Sequence, residues 1–157
     1  MLRYRYIGKI DTQFKYELLE KKEYDLSDNI GKWHMFNPNG DLVVSADEKR
    51  LTIMVGYKWD GTTVIGDCYE DEVTLEASMI HDVLYNAKKN PHDIPVPFSL
   101  SSADKMMTNF MTYMYKKLDA SFYKKYLYPK IFLSGLLSVG LPWKFGNNTY
   151  YTIKKLG

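Results

Sequence analysis

Cysteine is almost absent from this chain: Cys68 is the only one in 157 residues. A single thiol cannot close an internal disulfide, which excludes a small disulfide-stapled secreted scaffold and fits a reducing compartment. An excess of one charge is missing too. The 21 basic and 19 acidic residues leave a formal net charge of +2, too balanced to hold nucleic acid through bulk electrostatics. Long hydrophobic runs are also lacking. The most apolar stretch, Ile131 to Leu141, is about half the roughly 20 residues a membrane-spanning helix needs, so no transmembrane segment is expected and the run reads as a buried helix. The first residues, Met1-Leu-Arg-Tyr-Arg-Tyr6, carry no apolar core of a secretory signal. A Gly-rich phosphate loop, a Cys-x-x-Cys pair and a G-x-S-x-G elbow are all absent from the sequence, which removes the motif-bearing routes to nucleotide binding, thiol redox chemistry and serine hydrolysis.

What is present is an ordinary globular composition, 45% hydrophobic and 25% charged. The length suits a single domain, 1–157, able to bury roughly 70% of its unfolded surface. Aromatic content is high at 15%, with 14 tyrosines. Tyrosine joins an apolar body to a polar tip, so the residue suits the wet rim of a core or an interface.

Residues 2 to 10 alternate basic with aromatic or aliphatic side chains, the period of a half-buried edge strand. Phe14, Tyr16 and Leu18 extend the alternation, and a strand is expected within 14–26. Asn37-Pro-Asn-Gly40 is a turn signature. Leu42 to Ser45 and Leu51 to Trp59 read as two strands of a hairpin joined by the polar stretch Ala46 to Arg50. The sheet-rich part thus runs to about residue 66. The period then changes. Ile80, Val83, Leu84 and Ala87 recur at helical spacing from a start near Thr74, which can cap. Pro91, Pro95 and Pro97 end that helix. A second helix follows Ser101, with Ala103, Met106, Met107, Phe110, Met111, Met114 and Leu118 on one stripe, and Ser101-Ser-Ala-Asp104 resembles a capping box. A third helix, 121–141, is expected to kink or restart at Pro129. The aromatic tail 142–157, with Trp143, Phe145, Tyr150 and Tyr151, adds a final strand at Thr149 to Ile153. Strands followed by helices define an α+β fold: an N-terminal antiparallel β-sheet packed against two or three C-terminal helices, helical over about 74–141.

One grouping looks like chemistry. Advancing about 100° per residue, Ser78, His81, Asp82 and Tyr85 share the side of the first helix opposite its apolar face. Asp60 closes the preceding strand and Asp104 opens the next helix. A neutral imidazole with carboxylates from Asp60, Asp82 and Asp104 would suit a divalent metal, Mn²⁺, Fe²⁺, Mg²⁺ or Zn²⁺. Such an ion activates water for hydrolysis, with His81, Asp82 and Tyr85 as candidate catalytic residues. The same groups have simpler reasons to exist. Asp60-Gly61 is a turn, Asp104 complements a helix N-terminus, and His81 bonded to Asp60 or Asp104 would bolt sheet to helix. Cys68 with His81 is a further nucleophile-and-base pairing, set against the commoner role of a lone cysteine as a small buried hydrophobe.

The order His34, His81-Asp82, Asp104 resembles metal-dependent phosphohydrolases, but those are all-helical and His34 lies in the β-rich part. A closer likeness lies in Asp60-Gly-Thr-Thr63, then Ala77-Ser-Met-Ile-His81-Asp-Val-Leu-Tyr85, then Ala103-Asp104. This order resembles a small family of proteins encoded by tailed bacteriophages and prophages, over about residues 50 to 120. Val64-Ile-Gly66 and Leu100-Ser-Ser102 stand where that family usually has a proline and an arginine. The family brings no established activity. The resemblance implies a viral protein, in the virion or the host cytoplasm, whose partners are other phage proteins or a host protein. Three functions therefore stand: a non-enzymatic virion-associated or assembly protein acting through protein–protein contacts, a metal-dependent hydrolase, and a phage factor that binds a host protein or small molecule.

Overall fold

The computed structural model describes residues 2–8, 13–61, 70–90, 94–139 and 150–156. Cys68, Thr62, Thr63, Val64 to Gly66, Pro91, Trp143, Phe145 and the ends of the predicted strand at 2–10 and helix at 121–141 lie outside them. Two antiparallel sheets and three helices make up the α+β fold. The smaller sheet has the order β1 (Tyr4–Tyr6), β2 (Tyr16–Leu18), β7 (Lys58–Trp59). The larger has the order β3 (Lys22–Asp25), β6 (Arg50–Ile53), β5 (Leu42–Asp47), β4 (Lys32–Phe36), β8 (Thr152–Lys155).

One sheet was expected, and glycine explains why there are two. The apolar run Leu51 to Trp59 does not continue as one strand. Gly56 takes φ +96°, and its N–H donates to the Leu18 carbonyl. A side chain would strain that backbone. The turn ends β6 in one sheet and starts β7 in the other. The predicted polar loop of the β5–β6 hairpin is tighter than expected, because Glu48 accepts a left-handed φ of +59° and Asp47 already pairs with Arg50. Strand β4 has no counterpart among the predicted elements. Its inward residues Trp33 and Met35 alternate with Lys32, His34 and Phe36, and it holds the terminal strand β8 in antiparallel register. The register shift beside Met35 inserts Val43 as an extra residue, so Val43 and Val44 are both buried.

Helix α1 (Glu72–Lys88) is the centre of the molecule. Its start is earlier than the expected Thr74 cap. Asp71 is the N-cap, its carboxylate accepting from the Thr74 N–H at 2.9 Å while the Thr74 hydroxyl accepts from the Asp71 N–H at 2.7 Å. Apart from Asp82, residues 73 to 87 are buried, so this helix has no solvent face. Ile80, Val83, Leu84 and Ala87 share one core with Trp33, Met35, Val44, Leu51 and Ile53 of the large sheet. On its other side Val73 and Ala77 share a second core with Met107, Met111, Tyr115 and Phe132. The methionine stripe of α2 (Leu100–Lys117) is thus a core face.

Two other helix features differ from expectation. Ser99, not Ser101, caps α2, accepting from the Ser102 N–H at 3.0 Å. Asp104 then falls in the second turn, where it is fully buried and plays no part in the cap. The third helix does restart at its proline: a π-helical turn, Tyr123–Leu127, precedes α3 (Tyr128–Val139). Pro129 has no N–H to continue the helical ladder, and the wider turn absorbs that gap. No described helix is long and apolar enough to cross a membrane.

The reciprocal cap makes Asp71 a sensitive position. Its side chain also accepts from the Tyr115 hydroxyl at 2.8 Å and pairs with Lys124 at 3.1 Å. Burial works against its charge, but the bonds from Thr74, Tyr115 and Lys124 outweigh burial and hold the carboxyl below its usual value. Asp71→Ala should lower stability by about 1–2 kcal/mol, read as a shift of the urea midpoint at constant slope.

Candidate functional site

The polar side of α1 predicted from helical geometry exists, but it is buried and splits into two rows. Ser78, Asp82 and Asn86, one turn apart, face the end of β7. His81 and Tyr85, also one turn apart, face α2. In the first row the Trp59 indole N–H donates to Ser78 Oγ at 3.2 Å, and Ser78 donates to the Leu75 carbonyl at 2.6 Å. The Tyr57 hydroxyl donates to Asp82 Oδ2 at 2.6 Å. Asn86 Nδ2 reaches both the Tyr57 oxygen at 3.0 Å and Asp82 Oδ2 at 3.2 Å. In the second row His81 Nε2 lies 2.8 Å from Asp104 Oδ1, and the Tyr85 hydroxyl donates to the same oxygen at 2.6 Å. For a carboxylate at Asp104 to accept from both groups, His81 must carry a proton on Nε2. The His81 and Tyr85 rings lie 4.1 Å apart, centroid to centroid.

The candidate metal ligands are therefore distributed rather than convergent. His81 and Asp104 pair with each other, joining α1 to α2 rather than helix to sheet. Asp82 pairs with Tyr57. Asp60 is exposed at the end of β7. Alternation explains its position: Tyr57 and Trp59 point into the core, so their neighbour Asp60 cannot. Its charge still reaches Asp82. Among the described residues, no group of three or more His, Cys, Asp or Glu side chains is arranged to hold a metal ion. His34, on β4, lies opposite Ser45 of the central strand β5 and Lys154 of the edge strand β8.

Asp82 is the electrostatically unusual member. Burial pushes its carboxyl up to about 7, the bonds from Tyr57 and Asn86 oppose this, and the Asp60 charge adds to the rise. Tyr57 is held well above its usual value by burial first and then by Asp82 and Tyr151, against a lowering bond from Asn86. Tyr151, from the segment leading into β8, stacks on Tyr57 at 5.1 Å, accepts from the Lys58 N–H at 2.9 Å and donates to the Lys58 carbonyl at 2.8 Å.

Sequence reasoning missed these tyrosine partners. Among the described residues, tyrosine hydroxyls donate to carboxylates in the pairs Tyr16–Glu70, Tyr24–Glu76, Tyr57–Asp82, Tyr85–Asp104 and Tyr115–Asp71. Every pair has one member on α1 or in the two residues before it. Glu76 also meets Lys22 at 3.5 Å. The local signal was available for Asn86, one turn beyond Asp82, and for Tyr57 and Trp59, which share a strand face. The pairing itself spans up to 54 residues and leaves no local trace. No family model matches this sequence, and no curated protein or solved structure is significantly similar to it.

Proposed function

We propose that this chain is a non-enzymatic bacteriophage protein, virion-associated or an assembly accessory, that acts through protein–protein contacts. The observation that carries this reading is the exposed apolar ridge around the junction of α2 and α3. Phe122 is 72% exposed, Leu118 61%, and Tyr123 and Tyr126 each 48%, with Leu127 beside them. Phe122 and Tyr126 contact each other at 4.8 Å. Exposed aromatics grouped on one segment fit a binding surface. The buried polar rows point the same way, since their carboxylates are engaged in joining elements. The phage assignment itself is supported by the motif order from Asp60 to Asp104.

The test uses phage particles assembled without this protein, incubated with purified chain and sedimented. Wild type should co-sediment, and the double variant Phe122→Ser, Tyr126→Ser should lose about tenfold or more in association at an unchanged melting temperature. Equal association of the variant overturns the ridge. Retention by host proteins only would favour a host-directed factor. A rise in melting temperature with Mn²⁺ or Zn²⁺, accompanied by hydrolysis of a generic phosphoester, would favour the hydrolase.

A further inference from the structure

We infer that the free edge of β3 is a second, separate docking site, which takes an extended segment of a partner protein as an added strand. The inference does not rest on the ridge. Among the described residues, β3 is the outermost strand of the large sheet and pairs only with β6. The Leu26 N–H donates to the Lys49 carbonyl, which fixes the alternation of the ladder. Leu26, Tyr24 and Lys22 direct their backbone groups toward β6, so Glu23 and Asp25 direct theirs away from it. No described residue bonds those outward groups. A row of open N–H and C=O groups is a template for another strand.

The edge also has a receptacle beside it. A cleft of about 410 Å³ lies between residues 23–27 and Met106, Asn109, Phe110 and Tyr113 of α2. A second, of about 500 Å³, continues past Tyr24 and Phe110 toward Met114 and Leu118. Tyr24 and Phe110 meet edge to face at 5.7 Å between the two. Phe110 and Tyr24 are both held in place, Tyr24 by its 2.5 Å bond to Glu76.

Strand alternation then specifies the occupant. Tyr24 faces the helices, while Glu23 and Asp25 face solvent with Arg50. On an added strand the residue opposite Tyr24 enters the cleft and must be apolar or aromatic. Its two neighbours lie opposite Glu23 and Asp25 and must tolerate carboxylates. Glu23 and Asp25 border the first cleft, and the second carries Lys22 and Lys117 beside Glu72 and Glu76. Arg50 takes one oxygen of each, Lys21 approaches the other oxygen of Glu23, and the Asp25 side chain stays 78% exposed. The fitting sequence is therefore basic–apolar–basic. Two copies of β3 paired about Tyr24 would set Glu23 against Asp25, and like charges directly opposed disfavour that dimer.

The experiment uses the full chain and a labelled probe peptide, acetyl-Lys-Leu-Lys-Phe-Lys-Val-Lys-amide, with an analogue in which every lysine is glutamate. The lysine peptide should bind saturably and slow amide exchange at Glu23 and Asp25 by about tenfold or more, with little change on β8, the opposite edge. Glu23→Pro removes an outward donor without touching the β6 ladder, so it should keep the wild-type circular dichroism and weaken binding about tenfold. Phe110→Ala should weaken binding separately, through the cleft. Unchanged exchange at Glu23 and Asp25, equal binding of the glutamate peptide, or full affinity in Glu23→Pro would each overturn the proposal. So would sedimentation showing a dimer that protects the same two amides, since the occupant would then be a second copy.

Discussion

Asp104→Ala should cost about 3–5 kcal/mol of folding stability, the range for removing one partner of a buried charged network. Asp104 is fully buried, and its Oδ1 receives both the His81 imidazole and the Tyr85 hydroxyl. Alanine strips both of that acceptor in a place where water does not replace it. Against a typical total of roughly 5–15 kcal/mol, this single change takes a large share of the stability. Asp104→Asn keeps an acceptor oxygen and should lose about half as much or less. Urea unfolding of the three proteins at one pH checks this, and a loss under about 1 kcal/mol for the alanine variant would show that the His81–Asp104–Tyr85 group is not what joins α1 to α2.

Stability should fall as pH rises from about 4 to about 7, and Asp82→Asn should remove much of that fall. An unfolded aspartate titrates near 3.9, whereas the folded Asp82 carboxyl is raised to about 7. The folded state therefore holds the proton longer than the unfolded state. Stability from the neutral carboxyl is complete below the unfolded value, is lost progressively between the two, and is gone above about 7. Each tenfold gain in proton affinity on folding is worth about 1.4 kcal/mol. The whole window sets an upper bound, and the partial exposure of Asp82 reduces the expected effect to roughly 1–3 kcal/mol. Asparagine keeps the oxygen that accepts from Tyr57 and Asn86 while removing the charge. The variant should match wild type near pH 4.5 and exceed it near pH 8. Parallel pH profiles for the two proteins would contradict the assignment.

The elements that were legible in the sequence are those whose evidence is local. The β5–β6 hairpin follows from two β-branched runs. α1 and the methionine stripe of α2 follow from helical period, the restart before α3 from Pro129, and the closing strand from the tail. What was not legible depends on residues far apart. A positive φ at Gly56 divides one apolar run between two sheets, and nothing around Leu51 to Trp59 states that in advance. β4 alternates inward Trp33 and Met35 with polar neighbours, yet its pairing with β8 spans more than a hundred positions. The candidate site was half legible. Helical geometry placed Ser78, His81, Asp82 and Tyr85 on one side and left open what covers it. Asp104 was within reach, but as the partner of His81 rather than as a cap. Asp60 lies near His81 in sequence, but the strand parity that turns Trp59 inward turns Asp60 out.

Helix α1 has neighbours on every side, and its tyrosine–carboxylate pairs tie it to both sheets and to α2. It therefore cannot be made or kept alone. A fragment ending before α2 would present Val73, Ala77 and an orphaned His81 to water, and one starting at α1 would present the face built for Trp33 and Leu51. Synthesis on the ribosome meets the same condition: the strands emerge first, but the helix that covers them has no shelter for its second face until α2 has followed. The central element is sheltered on both faces only once α2 has emerged, so its folding waits for that helix.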